Sequence, residues 1–281
     1  MPRRPLATWI LFSALLLGAG AAAGSDVYVV RFDTSNSSVP LPPCGYLFYR
    51  DELIFHNSGA TDASVALLGV SNGAAADPQM LAVPVGRTRS SEGGCDGCAV
   101  TGTWAPAPQP SLWVAHLDVP DEVQTVSRLL VLASQPVTCN GFPAKPTRTY
   151  AGISMPVVRS LTPPGVPQIH LGTDIGGDAG GLADDGRTNV GIYNGGTVAA
   201  SASVELRRAC DGDFLQSKSV LIPANTIVQV GGFSEVFVGC GQLDTGTFET
   251  YVVVTVDQPS FSYSITLSNE RLPLLPVSSS P

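Results

Sequence analysis

Apolar and polar residues alternate along several segments of the chain. In the segment 200–207, apolar residues occupy every second position: Ala200, Ala202, Val204 and Leu206. The segments 113–119 and 250–256 have the same spacing. A period of two places such residues on one face of a β-strand, whereas a helix needs apolar residues three and four positions apart. No stretch keeps the helical spacing, so the chain is predicted to be all-β.

The last predicted strand has the most regular pattern. Its apolar positions alternate with hydroxyl residues, which are Ser262, Ser264, Thr266 and Ser268. An antiparallel sheet commonly packs one face on the core and exposes the other to water. We therefore expect these four hydroxyl positions to form an outward face.

Two parts of the chain follow similar patterns. Residues 53–59 form an apolar run that ends at Asn57 and a small-residue turn, and residues 190–196 repeat this shape around Asn194. In each part an alternating strand follows, and then an apolar segment that contains a proline. Each part offers about seven candidate strands, the number typical of an immunoglobulin-like sandwich. Because a single sheet would leave its apolar face in water, two sheets packed face to face are expected in each part.

These patterns predict a domain layout. We expect two tandem immunoglobulin-like antiparallel β-sandwich domains, residues 24–159 and residues 160–281, joined by the proline-containing segment 161–165. Residues 1–23 are predicted to be a secretory signal peptide, since two arginines, an apolar run and an Ala-Ala-Ala cleavage pattern follow one another. The apolar run is shorter than the roughly 20 residues of a transmembrane helix. We therefore expect a secreted protein, periplasmic or extracellular, with no transmembrane anchor after cleavage.

Several segments resemble a repeat of secreted bacterial proteins. The segments are residues 187–194 with the strand and the Ile222-Pro223 turn that follow them, residues 68–73 and residues 113–120. The family they resemble consists of uncharacterised secreted proteins with tandem Ig-like β-sandwich repeats. The resemblance implies the sandwich fold, an exported location and a bacterial source, and it implies no catalytic residues.

The charge of the chain restricts its partners. It has 15 basic and 23 acidic residues and a net charge of −8. Loss of Arg3 and Arg4 with the signal peptide would change this charge to −10. An acidic chain without a basic cluster is not expected to bind nucleic acid or an anionic membrane surface. The expected partner is an unknown protein or polysaccharide of the envelope or the surroundings.

The six cysteines predict disulfides, because an even number in an exported chain is typical of an oxidising compartment. The expected pairs are Cys95 with Cys98, Cys44 with Cys139, and Cys210 with Cys240. The C-x-x-C spacing at 95–98 also allows a redox centre or a zinc site. A redox centre would need a helix start, and a zinc site would need two more ligands.

An acidic, glycine-rich loop spans residues 173–186. Its carboxylates are potential Ca²⁺ ligands: Asp174, Asp178, Asp184 and Asp185. Their spacing matches no standard calcium loop, so a solvated acidic loop is the other interpretation. A second possible metal site combines His56 with His116 and Asp118, provided that their strands are neighbours. The alternative for these three residues is a solvent-facing surface.

Nucleophilic catalysis is not expected from the sequence. Although Gly69-Val70-Ser71-Asn72-Gly73 has the G-x-S-x-G spacing, the three histidines, which include His170, do not adjoin a serine or cysteine in a known motif. We therefore expect an exported, non-enzymatic binding or surface-interaction module that needs no cofactor. The alternative is a Ca-dependent carbohydrate-binding protein, or an enzyme accessory domain, that uses the loop 173–186. A structural spacer is a third possibility.

Overall fold

A computed structural model describes most of the chain after residue 23. The described residues are 24–32, 39–40, 46–71, 79–90, 112–135, 138, 141, 143, 145–173, 187–231 and 250–267. They form 17 β-strands, and no helix occurs within these ranges. The predicted all-β class is confirmed. Consistent with this, the described residues contain no helix that is long and apolar enough to cross a membrane.

The strands have the following bounds: β1 Ser25–Phe32, β2 Val39–Pro40, β3 Tyr46–Asn57, β4 Ala63–Val70, β5 Gln79–Val83, β6 Thr88–Ser90, β7 Leu112–Val119, β8 Val123–Gln135, β9 Lys145–Met155, β10 Val157–Val158, β11 Gln168–Thr173, β12 Arg187–Asn194, β13 Ala200–Arg208, β14 Phe214–Ile222, β15 Thr226–Val230, β16 Thr250–Val256 and β17 Ser260–Leu267.

These strands pair into four antiparallel sheets. Sheet I has the order β2-β3-β8-β9, with β6 also paired to β3, and sheet II has the order β10-β1-β7-β4-β5. Sheet III has the order β15-β12-β17, and sheet IV has the order β11-β16-β13-β14. The layers stack in the sequence I, II, III, IV, and a hydrophobic cluster lies between each adjacent pair of sheets.

Alternating residues build the outer two of these clusters. Between sheets I and II, Val27 and Val29 of β1 pack with Leu53 and Phe55 of β3. Between sheets III and IV, the four apolar residues of the segment 200–206 are all completely buried. The alternation predicted for that segment is confirmed, because its polar positions lie on the other face of β13.

The strand pairings of sheets I and II recur in sheets III and IV. In the first pair of sheets, β1 pairs with β7, β7 with β4 and β4 with β5, while β3 pairs with β6 and β8. In the second pair of sheets, the chain of pairings β1–β7–β4–β5 recurs as β11–β16–β13–β14. The pairing of β3 with β6 and β8 recurs as the pairing of β12 with β15 and β17. A constant-type immunoglobulin sandwich has its first strand beside the second and its last beside the sixth. Here the seven strands are β1 and β3–β8 in the first pair of sheets, and β11–β17 in the second. In each set the first strand lies beside the sixth, and the last strand lies beside the second.

A third cluster joins sheet II to sheet III, and we call it the seam. From sheet II it contains Val30 and Val114, and from sheet III it contains Tyr193, Phe261 and Tyr263. Its remaining buried members are Ile153 and Met155 on β9 of sheet I, and Ile227 and Ile265 of sheet III. The seam makes sheet III an inner layer, so that residues 260–265 of β17 are buried on both faces of the strand.

This position of sheet III overturns one prediction from the sequence. Ser262 and Ser264 were expected on an outward face, but each is only 3% exposed. They point towards sheet IV, whereas Tyr263 between them points into the seam. The prediction was wrong because a strand that lies between two layers has no solvent face. Thr266 is described in its backbone alone, and Ser268 lies outside the described residues.

The segment predicted as a linker is attached to the second pair of sheets. Thr162 forms a β-bridge with Ser260, in which each backbone N–H donates to the carbonyl of the other residue. The N–H of Gly165 donates to the carbonyl of Val256 at 2.8 Å, and Leu161 packs against the seam. The chain between the two pairs of sheets is therefore held in place by hydrogen bonds and by packing.

Candidate functional site

The residues of the predicted calcium loop lie outside the described part of the chain. Asp174, Asp178, Asp184 and Asp185 fall between the end of β11 and the start of β12. Within the described ranges, no three His, Cys, Asp or Glu side chains are close enough to hold a metal ion. The calcium hypothesis therefore stays a prediction from the sequence.

Of the six cysteines, the described residues include Cys210, which lies in the exposed turn between β13 and β14. Cys210 is not a free thiol. The other five, Cys44, Cys95, Cys98, Cys139 and Cys240, lie outside the described residues, so the three expected disulfide pairs stay predictions. In the same turn Arg208 binds Asp211 and Asp213 at 2.7 and 2.5 Å, and its hydrogen bond lowers the pKa of Asp211.

The proposed metal site of His56, His116 and Asp118 is not formed. His56 lies on β3 in sheet I and contacts the Thr88 hydroxyl at 3.0 Å, whereas His116 and Asp118 lie on β7 in sheet II. His56 is next to the buried Phe55, so its side chain points away from sheet II. His116 and Asp118 point away from sheet I for the same reason. The hypothesis was wrong because the two strands belong to different sheets and these side chains are on opposite sides of the pair.

His116 instead belongs to a cluster at the rim of the seam. Its ring stacks on that of Tyr28, with centroids 4.5 Å apart and planes 9° from parallel. Its Nε2 lies 2.9 Å from Oδ1 of Asp26, which is more than half exposed. Burial, and then the charge of Asp26, raise the pKa of Tyr28. Since Tyr28 also contacts Tyr193 and Phe261, this cluster is the half-exposed border of an apolar interface.

His170 lies at a buried polar contact between sheets III and IV. Its Nε2 is 2.8 Å from Oγ of Ser262. Gln168 Oε1 accepts hydrogen bonds from the backbone N–H of Ser262 at 2.6 Å and from its hydroxyl at 3.0 Å. Because Ser262 donates its hydroxyl proton to Gln168, His170 Nε2 carries the proton that it donates to Ser262.

This pair does not have the geometry of a catalytic serine. The hydroxyl of an activated serine donates its hydrogen bond to the histidine base, whereas the Ser262 hydroxyl donates to Oε1 of Gln168. Both side chains are almost completely inaccessible, and Nδ1 of His170 has no hydrogen-bond partner among the described atoms. Burial lowers the pKa of His170 to about 4, since a charged ring would lack water there. The contact between His170 and Ser262 links β11 of sheet IV to β17 of sheet III, which are edge strands of their sheets.

A buried ion pair lies between sheets I and II. Arg31 on β1 binds Asp51 on β3 through Nε, and both residues are at most 2% exposed. The guanidinium carbon of Arg31 lies 5.3 Å from the ring centroid of Trp113. Fully desolvated charges need a partner of opposite sign, so each of these two residues depends on the other. The alternation in the sequence does not identify this pair, because it does not show which strands face each other.

The outer face of sheet IV carries large apolar side chains in contact with solvent. On β11, Ile169 is 46% exposed and Leu171 is 62% exposed. Val253 pairs with Ile169 on the adjacent β16, and Tyr251 lies two residues before Val253; both are half-buried. An apolar stripe of this kind in contact with solvent is typical of an interaction site.

The fold and these surfaces define an all-β protein in which antiparallel sheets are packed as a sandwich. No protein-family model, curated protein or solved structure matches this chain.

Proposed function

We propose that this chain is an exported, non-enzymatic interaction module made of two tandem immunoglobulin-like sandwich domains. The shared pairing pattern of the two sets of seven strands supports the tandem arrangement. The apolar run and alanines before residue 24 support export. The two domains differ from the immunoglobulin arrangement in the placement of their first and last strands, as described above.

The seam is the observation that best supports this proposal. Val30 and Val114 on one side, with Tyr193, Phe261 and Tyr263 on the other, bury a continuous apolar surface between the two domains. Domains that touch over a small polar interface move relative to each other, whereas a large apolar interface fixes their orientation. A fixed orientation presents the outer faces of sheets I and IV at opposite ends of one body. That arrangement suits a module that binds macromolecules through its surfaces.

The polar groups that are buried inside the stack are suited to a structural role. Arg31 and Asp51 form an ion pair inside one domain, and His170 and Ser262 form a hydrogen bond inside the other. None of these four side chains is accessible to a substrate. They contribute to the specificity of folding, so binding is left to the outer faces of the sheets.

A capture experiment tests the proposal. The protein purified after export is immobilised and exposed to native envelope extract and to culture polysaccharide, with calcium and with a chelator. We expect a macromolecular partner to be retained in both conditions and to be released by soluble protein in competition. Catalytic turnover of an envelope or polysaccharide substrate that a single point change abolishes would contradict the proposal. Capture only with calcium would instead support the loop 173–186 as the site.

A further inference from the structure

One side chain of the second domain forms a hydrogen bond across the seam to the backbone of the first. Asn225 lies in the turn between β14 and β15, and its amide nitrogen donates to the carbonyl of Val70 at 3.1 Å. Val70 is the last residue of β4 in sheet II. Oδ1 of Asn225 lies 2.8 Å from the hydroxyl of Tyr193, whose ring packs in the seam. The turn is therefore bonded both to its own face of the seam and to the opposite domain.

The orientation of this amide is fixed by its two partners. The carbonyl of Val70 can only accept a hydrogen bond, so the atom that faces it is the amide nitrogen, and the hydroxyl of Tyr193 donates to Oδ1. Burial, and then the interaction with Tyr28, raise the pKa of Tyr193 to about 12, so this hydroxyl keeps its proton at neutral pH. Tyr193 therefore holds the amide of Asn225 in the orientation that reaches Val70.

The backbone of Asn225 has a conformation that glycine adopts most easily. Its φ is 50°, and within the described ranges it is the one non-glycine residue with a positive φ. The equivalent turn of the first domain, between β5 and β6, has Gly86 with a φ of 64°. Both residues stand two positions after a proline, Pro223 and Pro84. Left-handed backbone costs least for glycine, and asparagine tolerates it better than most other residues. The second domain thus has an amide side chain where the first has none.

We propose that Asn225 is a latch that fixes the relative position of the two domains. The apolar contacts of the seam are not directional, so they favour contact between sheets II and III without selecting one relative position. A hydrogen bond is directional, and this one joins a turn at the exposed rim of the seam to the end of β4. The latch rests on the proposed function, because that proposal uses a fixed orientation of the two domains.

Thiol labelling of the native, full-length protein tests the latch with two probe positions. Val114→Cys places a thiol inside the seam, where Val114 is 1% exposed, and its labelling rate reports opening of the seam. Val204→Cys places a thiol between sheets III and IV, where Val204 is completely buried, and its labelling rate reports opening of the second domain itself. The protein without an added cysteine measures the background labelling.

Asn225→Gly removes the latch but keeps the turn, because glycine adopts a positive φ without strain. We expect it to raise the labelling rate of Val114→Cys by about threefold. This is the low end of the net contribution of a hydrogen bond, since Asn225 is in contact with water. The labelling rate of Val204→Cys should not change. Gly86→Asn is the matched control, because a Cβ at Gly86 meets no atom within 4 Å, and it should leave both rates unchanged.

A second variant separates the two hydrogen bonds of the side chain. Asn225→Asp keeps the Oδ1 acceptor for Tyr193 but offers no donor to the carbonyl of Val70, so it should raise the labelling rate of Val114→Cys at least as much as Asn225→Gly does. An equal increase at both probe positions would overturn the inference, because Asn225 would then stabilise its own domain and not the seam. Unchanged labelling of Val114→Cys in either variant would overturn it as well.

The failure of the latch can be separated from that of the proposed function by repeating the capture experiment on the same protein. A protein that retains a macromolecular partner, but whose seam labelling does not respond to Asn225→Gly, contradicts the latch alone. A protein that shows the expected labelling together with catalytic turnover contradicts the interaction module alone.

Discussion

Asn57 and Asn194 close the same turn in the two pairs of sheets. Besides a contact of the Asn194 amide nitrogen with the carbonyl of Pro223 at 3.1 Å, the two side chains share three bonds. The amide nitrogen of each donates to two backbone carbonyls, one four residues later and one on a strand of the facing sheet, and its Oδ1 accepts from the backbone N–H two residues later. The three bonds measure 2.8 Å each for Asn57 and between 2.8 and 3.0 Å for Asn194. Both side chains are completely buried. The asparagine that marked the similar sequence segments therefore has the same structural role twice.

Replacing either asparagine should destabilise the protein strongly. Asn57→Ala and Asn194→Ala each leave two carbonyls and one N–H without a partner, and we expect each to lower the free energy of unfolding by about 3 kcal/mol. Thr197→Ala is the control, because that side chain is exposed in the same turn as Asn194. Urea denaturation of the three variants measures the effect. A loss as small as that of the control would mean that the turns do not depend on these side chains.

Gly191 should be intolerant of any side chain. A Cβ at this position would lie 2.1 Å from Cε1 of Tyr263, whose ring covers the glycine from the adjacent strand. We expect Gly191→Ala to lower the free energy of unfolding by about 3 kcal/mol, because the ring must move out of a packed seam. Gly69→Ala is the matched control, since a Cβ there meets no atom within 4 Å.

The double variant identifies the cause of that loss. With Tyr263→Ala already present, addition of Gly191→Ala should change the stability by less than about 1 kcal/mol, since residues in contact are not additive. An unchanged effect of Gly191→Ala in that background would show that the tyrosine ring is not what requires the glycine.

His170 should make the protein sensitive to acid. Its pKa is about 4 in the folded chain, against about 6.5 when unfolded, so the unfolded chain binds the extra proton between these values. Stability is therefore fully present above pH 6.5 and falls as the pH drops towards 4, by about 3 kcal/mol in total. His170→Gln, which can still donate to Ser262, should remove this decrease, and His56→Gln should retain it. Urea titrations at several pH values measure it, and equal slopes in wild type and His170→Gln would contradict this account.

The predictions from the sequence are correct for strands that have one buried face and one exposed face. In β13 the positions of Ala200 and Leu206 have a core on one side and water on the other, and a period of two is sufficient to assign them. In β17 the same reasoning failed at Ser262, because the strand has a layer on each side. Alternation identifies two different faces, but it does not show that both of them are buried.

The site predictions failed or stayed open for a related reason. His56 and His116 each had a correct orientation relative to their own strand, yet the sequence does not assign strands to sheets. The seam could have been suspected from Phe261 and Tyr263, since two aromatic residues at alternate positions beside serines suggest that the apolar face packs against another layer. Which surface covers that face depends on the packing of residues that are far apart in the chain, such as Tyr28.

The central claim is that the seam unites the two pairs of sheets into one body. Differential scanning calorimetry of the purified protein tests it most directly, with Phe261→Asp as a variant that places a charge in the seam. We expect the wild-type protein to unfold in a single transition whose van't Hoff and calorimetric enthalpies agree, and the variant to unfold in two. Two separate transitions in the wild-type protein, unchanged by Phe261→Asp, would contradict the claim.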